Sequence, residues 1–505
     1  MVWSRGSSLN FLIFWKMKWK YRSIYLGLSV FLSLNYQCFA NKFIDNTSLL
    51  SPSKLADTTL LPNIILIMSD DQGWGDVGYQ GHPYLKTPNL DKMAANGVVF
   101  SRFYAGSAVC SPTRGSVLTG RHPMRYGICY ANCGHLNREE VTIAELVKEK
   151  GYATGHFGKW HLGTLTRDEI DANRGGRPEN DEHFSPPWLH GYDTCFVTES
   201  KVPTWNPMIT PSASAGDVGS RLTEGQPFGT AYWTGPGQKA EGNLEGDDSR
   251  VIMDRTIEFI GNSINVQSPF LAVVWFHTPH LPVLTGEKYR SIYSDLSEDQ
   301  QHYYGSITAM DEQIGRLRDY LKSRGISDNT IISFTSDNGP EGKSVSGRTQ
   351  GITNGLRGRK RSLYEGGIRV PGILEWPNKI DGGITIDQPC STSDYFVTIA
   401  HILDIDIEKY QRPFDGQTWL PFLEESGQEY VKGPIYFWLR DQVAIVDQRY
   451  KIYSEDGGQS FKLYDITDLD GEEDELNLDI EKQNRILKWK ACHQSVLNSS
   501  QGGDY

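Results

Sequence analysis

The stretch Asn63-Ile64-Ile65-Leu66-Ile67-Met68 is apolar after its first residue and stops abruptly at Ser69-Asp70-Asp71. A short run without polar alternation reads as a strand buried on both faces, the kind found in a sheet covered by helices. The same design recurs at residues 270–276 and 330–335. These runs end in polar clusters as well: His277 to His280 after the second, and Ser336-Asp337-Asn338 after the third. In α/β sheets the ligand crevice lies beyond the carboxyl ends of the strands. Three buried strands delivering polar residues at one end therefore mark out a site, and the chain is expected to be α/β.

Helical stretches lie between these runs. Residues 142–150 open with Thr142 as a cap and Glu145 three residues on, and stop at Gly151. Residues 303–324 place Ile307, Met310, Ile314, Leu317 and Leu321 on one helical face. From about Gly433 the texture changes to short strands at 435–439, 443–446 and 450–453, followed by a closing helix at 481–497.

The first 40 residues differ from the rest. Lys16, Lys18, Lys20 and Arg22 precede an apolar stretch at 24–34, and Ala40 closes a small-residue cleavage site. That order reads as a secretory signal peptide, with Met17 as an alternative start, and the apolar run is too short for an ordinary membrane span. The expected organisation is a signal peptide over 1–40, a flexible lead-in over 41–60, a catalytic domain over 61–428 and a small antiparallel sheet plus helix over 429–505. The protein is expected to be exported, periplasmic or secreted, without a stable membrane span. Of seven cysteines, Cys38 leaves with the signal, while Cys129 and Cys133 are placed to pair locally. A net charge of -12 repels polyphosphates at long range, so no nucleic-acid partner is expected. An anionic small substrate stays open, because a pocket can be locally basic.

The sharpest local signal is Cys110-Ser111-Pro112-Thr113-Arg114-Gly115. Taken alone it reads either as a thiolate nucleophile in an electropositive pocket or as a buried cysteine in a turn. Its company is more specific: Asn63 through Gln72, Gly158-Lys159-Trp160-His161-Leu162-Gly163 and Thr278-Pro279-His280-Leu281-Pro282. To these are added Ser336-Asp337-Asn338-Gly339, Lys360 ahead of Tyr364-Glu365-Gly366-Gly367, and Leu463-Tyr464-Asp465. In these motifs and their order the chain resembles the formylglycine-dependent sulfatases of the alkaline phosphatase superfamily, over nearly all of the sequence after the lead-in.

The resemblance implies a large mixed sheet sandwiched between helices, alkaline phosphatase-like, with a smaller C-terminal α+β domain. It implies that a maturation enzyme oxidises Cys110 to formylglycine, reading Pro112 and Arg114 as part of its signal. It further implies hydrolysis of sulfate esters by a formylglycine hydrate through a covalent sulfate intermediate. Asp70, Asp71, Asp337 and Asn338, with the modified Cys110, would ligate one divalent cation. Oxygen-only ligation suits Ca²⁺ or Mg²⁺, and the resemblance favours Ca²⁺. Arg114 and Lys159 would steady the hydrate, and Lys360 would contact the sulfate. His161 would orient the hydrate and support sulfate release, and His280 would protonate the leaving alcohol, with His277 as a competitor for that role. Arg357, Arg359 and Arg361 around Lys360 read as a basic rim for a polyanion. Residues 174–205, with Arg174, Arg177, His183, Trp188, His190 and Trp205, read as a long irregular segment that sets specificity. The expected partner is a sulfated poly- or oligosaccharide, algal (ulvan, carrageenan) or glycosaminoglycan. The alternatives are a phosphomonoester or diester hydrolase of the same superfamily and an inactive glycan-binding relative.

Overall fold

A computed structural model describes residues 60–171, 174–218, 222–423 and 430–500. The signal-peptide reading of 1–40, the lead-in up to residue 59 and the 428/429 boundary fall outside the described residues.

In chain order the strands are β1 (Asn63–Ser69), β2 (Val98–Phe100), β3 (Phe103–Tyr104), β4 (Ala153–Lys159), β5 (Thr194–Thr198), β6 (Trp233–Gly235) and β7 (Gln238–Lys239). They continue with β8 (Phe270–Trp275), β9 (Thr330–Ser336), β10 (Arg369–Val370), β11 (Gly372–Glu375), β12 (Ile384–Ile386) and β13 (Cys390–Ser391). Ten of them form one sheet in the order β12-β2-β11-β9-β1-β8-β4-β5-β6-β7. Its centre, β9-β1-β8-β4-β5, is parallel, so the carboxyl ends of five strands meet along one edge. Flanking strands β11 and β6 run antiparallel, which makes the sheet mixed.

Both faces are covered. Ile65, Ile67, Phe157, Ala272, Val274 and Phe334 share one apolar core with Leu90, Ile252, Ile260, Ile307, Ile314 and Leu317. Those partners come from helices Pro88–Asn96, Asp248–Asn265 and Glu298–Ser323. Against the opposite face lie helices Cys110–Thr119, Ile143–Lys148 and Asp394–Ile402. Two-sided burial is why β1 and β8 read as nearly unbroken apolar runs; β9 is buried throughout as well, with Ser333 and Thr335 among its apolar residues. The helix expected at 303–324 begins earlier, at Glu298. Ser297 caps it with a reciprocal box to Gln300, a start signal that outweighs the polar first turn.

β14 (Ile435–Leu439), β15 (Gln442–Val446), β16 (Tyr450–Ser454) and β17 (Lys462–Asp465) form an antiparallel meander. Helix Asp479–Ser499 closes it, setting Trp489 and Val496 on Val443, Ile445 and Ile452. The other face of the meander packs on Tyr104, Leu363, Tyr364 and Ile368. Lys451, fully buried, joins the two parts: its Nζ lies 3.0 Å from Glu365 Oε1 and 2.8 Å from Glu472 Oε1.

Candidate active site

Four of the five central strand ends contribute to one buried cluster. Asp70 and Asp71 leave β1, Lys159 is the last residue of β4, His280 follows β8, and Asp337 and Asn338 follow β9. Asp70 N donates to Thr278 O (3.0 Å) and Asp71 N to Asp337 Oδ1 (3.1 Å), which fixes neighbouring strand ends to each other. Gly158 sits at φ 98°, and a Cβ there would come within 1.9 Å of Trp275 O. Only glycine fits, and the close approach turns Lys159 inward; the lysine is a strand end rather than part of a free turn.

Cys110 opens a helix whose ten residues are all buried. Its Sγ, one carboxylate oxygen each of Asp70 and Asp71, and a His280 ring nitrogen lie within 4.8 Å of one another. Four residues on, Arg114 donates Nε (3.1 Å) and Nη2 (2.6 Å) to Asp337 Oδ2, with Asp70 Oδ1 at 3.7 Å. Lys159 Nζ bonds Asp70 Oδ2 at 2.6 Å, and Lys360 Nζ lies 2.6 and 2.8 Å from the two oxygens of Asp71. Three carboxylates and three permanent cations thus share a water-excluded volume. Burial alone would raise Asp70, but Lys159, His280, Arg114 and Lys360 hold it well below the usual carboxylate range. Asp337 goes the other way: burial and then the charge of Asp70 push it up to about 7 against Arg114. Burial pushes the Cys110 thiol up to about 12 despite Lys159 and Lys360, so an unmodified thiol there stays protonated.

The donor set fits a hard cation. Asp70 Oδ1 and Asn338 Oδ1 are buried without a hydrogen-bond partner, beside Asp71. Unpaired buried oxygens are costly unless something positive meets them. Both oxygens of Asp337 are engaged within the cluster, Oδ1 by Asp71 N and Oδ2 by Arg114. His280, absent from the expected ligands, lies inside that group instead.

The two histidines near β8 separate cleanly. His277 is fully buried, with Nδ1 2.8 Å from Asp248 Oδ2 and Nε2 2.7 Å from Thr198 Oγ1, and has no opening to a substrate. His280 bonds Leu281 O through Nδ1 (2.6 Å) and turns Nε2 toward Asp71 Oδ2 at 3.7 Å. Burial lowers its pKa to about 4, against the pull of Asp70 and Asp71. His161, at φ 58°, places Nε2 2.7 Å from Asn132 Oδ1.

The expected basic rim is partly structural. Arg359 donates to three backbone carbonyls, and Arg357 stacks 4.0 Å over Tyr364 while bonding Glu472 O. Arg357 and Arg361 are both exposed, and Arg361 pairs with Glu341, which also meets Lys360 at 3.2 Å. The segment 174–205 is less irregular than expected, since β5 lies within it. Arg174 and His190 point inward, bonding the His161 carbonyl and Ser185 Oγ respectively, whereas Arg177 is exposed. Cys129 and Cys133 form a disulfide. Asn132, Glu341 and Arg174 carried no motif; only the position of Asn132 inside the Cys129–Cys133 loop gave a signal.

The family model described as Sulfatase matches residues 62–405. Over 407 residues the chain is 31% identical to N-acetylgalactosamine-6-sulfatase of Canis lupus familiaris, covering 76% of this chain and 70% of that protein. It is 30% identical over 419 residues to steryl-sulfatase of Homo sapiens, covering 73% and 70%. Among solved structures, Ps i-CgsB in complex with k-i-k-neocarrahexaose shares the fold at TM-score 0.72 and 24% identity, covering 88% of this chain and 94% of that one.

Proposed function

The chain belongs to the sulfatase family and is a sulfuric ester hydrolase, and on that premise we propose that Cys110, converted to formylglycine, is its nucleophilic residue and a sulfated carbohydrate its substrate. The observation that carries this is the placement of Cys110 Sγ within 4.8 Å of Asp70, Asp71 and His280, ringed by Arg114, Lys159 and Lys360.

Formylglycine supplies, as its hydrate, a hydroxyl that attacks sulfur, and a divalent cation, Ca²⁺ before Mg²⁺, supplies charge that neutralises the sulfate oxygens. Asp70, Asp71, Asp337 and Asn338 would hold that cation. The chain's own side chains do the rest. Lys159 and Arg114 keep Asp70 ionised, and Arg114 holds Asp337 in place through two hydrogen bonds to its Oδ2. Lys360, shared between Asp71 and Glu341, is placed to transfer its hydrogen bonds to a sulfate oxygen. His280 Nε2 faces the same volume and donates a proton to the departing alcohol; a bound anionic ester favours its charged form. His161 would accept a proton from the formylglycine hydrate as sulfate is released.

The similarity to an N-acetylgalactosamine-6-sulfatase and to a fold solved with a neocarrahexaose supports a sulfated sugar. Export to the periplasm or beyond is supported by the Cys129–Cys133 disulfide, a bond that persists in oxidising compartments. Among the described residues no helix is long and apolar enough to cross a membrane. The test is sulfate release from a panel of sulfated galactose, N-acetylgalactosamine and glucosamine oligosaccharides, with Cys110→Ala as control. Turnover of at least one member, abolished in C110A, is expected; turnover only of phosphate esters would overturn the proposal.

A further inference from the structure

His161 is gripped through its backbone. Its N donates to Glu199 O (3.1 Å), and its carbonyl accepts from Ser111 Oγ (2.7 Å) and Arg174 Nη1 (2.5 Å). These bonds hold a φ of 58° that a residue with a Cβ seldom adopts. The ring is almost wholly buried. Nδ1 has no hydrogen-bond partner, and Nε2 meets Asn132 Oδ1 at 2.7 Å. An amide oxygen only accepts, so Nε2 carries the ring proton and Nδ1 presents the lone pair.

Asn132 is itself exposed, and its position depends on the loop that bears it. The Cys129–Cys133 disulfide closes that loop, and Cys133 N donates to Tyr130 O (3.1 Å) within it. The Arg440 guanidinium lies 4.1 Å over the Tyr130 ring. Arg174 ties the loop to the histidine: with Nη1 on the His161 carbonyl, its Nη2 donates to Gly134 O. Gly134 admits no side chain, because a Cβ would meet Gly127 O at 2.1 Å. One partly buried arginine therefore holds both the histidine backbone and the loop that caps its ring.

We propose that Asn132 is a positioning residue for His161, and that the disulfide-closed loop is the device that holds its amide oxygen on Nε2. The amide fixes the tautomer and orientation that leave Nδ1 free to accept a proton. This rests on the proton-accepting role of His161 proposed above. Partners of this kind, one shell removed from the chemistry, change activity by about 10- to 100-fold when lost.

The test compares wild type, Asn132→Ala, Asn132→Asp, Cys129→Ser/Cys133→Ser and the triple variant, each with its formylglycine fraction measured by mass spectrometry. N132A, at an exposed position, should fold normally, keep the wild-type formylglycine fraction and lose roughly 10-fold in kcat with little change in KM. N132D retains an acceptor, so it should recover most of kcat, and its carboxylate should move the acid limb of the pH profile upward. The double serine variant should match N132A, and adding N132A to it should cost nothing more, as expected when two changes act through one contact. Unchanged kcat in N132A would overturn the proposal. So would a loss confined to KM, which marks a substrate contact, or losses that multiply in the triple variant. A wild type without formylglycine would instead overturn the proposed function; with formylglycine and turnover present, the variants bear on Asn132 alone.

Discussion

Replacing Lys451 by methionine should destabilise the protein in a pH-dependent way and weaken the site from a distance. Lys451 is buried between Glu365 and Glu472, each within 3.0 Å, and Glu472 Oε2 also accepts Glu365 N at 2.7 Å. Glu365 begins the short helix Glu365–Ile368, and Gly367 O accepts Gly339 N at 2.9 Å, next to Asn338. Losing one partner of a buried ion pair costs about 3–5 kcal/mol, because the other charge stays behind. With roughly 450 folding residues and an unfolding entropy near 2.1 cal/mol/K per residue, this is a fall in Tm of about 3–5 °C. Burial pushes Glu472 up to about 7, with the Glu365 charge adding to it and Lys451 opposing. A carboxyl raised in the fold contributes stability that is full below its unfolded pKa and is lost as pH rises through the folded one. Removing Lys451 raises it further, so the deficit should be largest near about pH 8 and clearly smaller near about pH 5.5. Differential scanning calorimetry of both proteins at both pH values reads this directly. A deficit equal at the two pH values, or a Tm within about 1 °C of wild type at the higher one, would refute the reasoning.

Three further outcomes are expected. Dialysis against a chelator should abolish activity and lower Tm, and Ca²⁺ should restore both, because a ligand that binds only the folded state stabilises it; full activity without any divalent ion would remove the cation from the account. His280→Ala should lower kcat by about 10²–10⁴-fold on sugar sulfates but far less on aryl sulfates with acidic phenols, which leave without a proton; equal losses on both would remove the acid role. Burial holds His190 at a pKa of about 3, so it is neutral in the fold and takes up a proton on unfolding at moderately acid pH. Its contribution is present above the unfolded value near 6.5 and is lost as pH falls toward about 3. His190→Gln should therefore flatten the acid side of a urea-midpoint profile, and an unchanged profile would contradict this.

Much of the architecture was legible because burial leaves a plain trace in sequence. β1 and β8 are covered on both faces, so Ile64 to Met68 and its counterpart at 270–275 show no polar alternation, and the abrupt change to Asp70, His277 and, after the buried strand β9, Asp337 marks the strand ends. β4 was not legible. Thr154, Gly155, His156 and Gly158 break its apolar run, and His156 is buried only because Trp160, Tyr192 and Trp275 surround it edge-on. The polar residues clustered at the strand ends stood in recognisable motifs. Those acting across the chain did not: Glu341 meets Lys360, and Asn132 meets His161, through loops whose approach depends on Arg361 and Arg174. Arg359, next to Lys360, misled for the same reason. Charge in sequence looks like a surface rim, whereas Arg359 spends its donors on the carbonyls of Glu341, Gly342 and Gly351.

The most direct test of the central claim is the mass of the tryptic peptide 103–114, taken from protein expressed with a formylglycine-generating enzyme. A fraction of this peptide should carry an aldehyde in place of the Cys110 thiol, with specific sulfatase activity rising in proportion to that fraction. Full activity from protein whose residue 110 is entirely a thiol would contradict it.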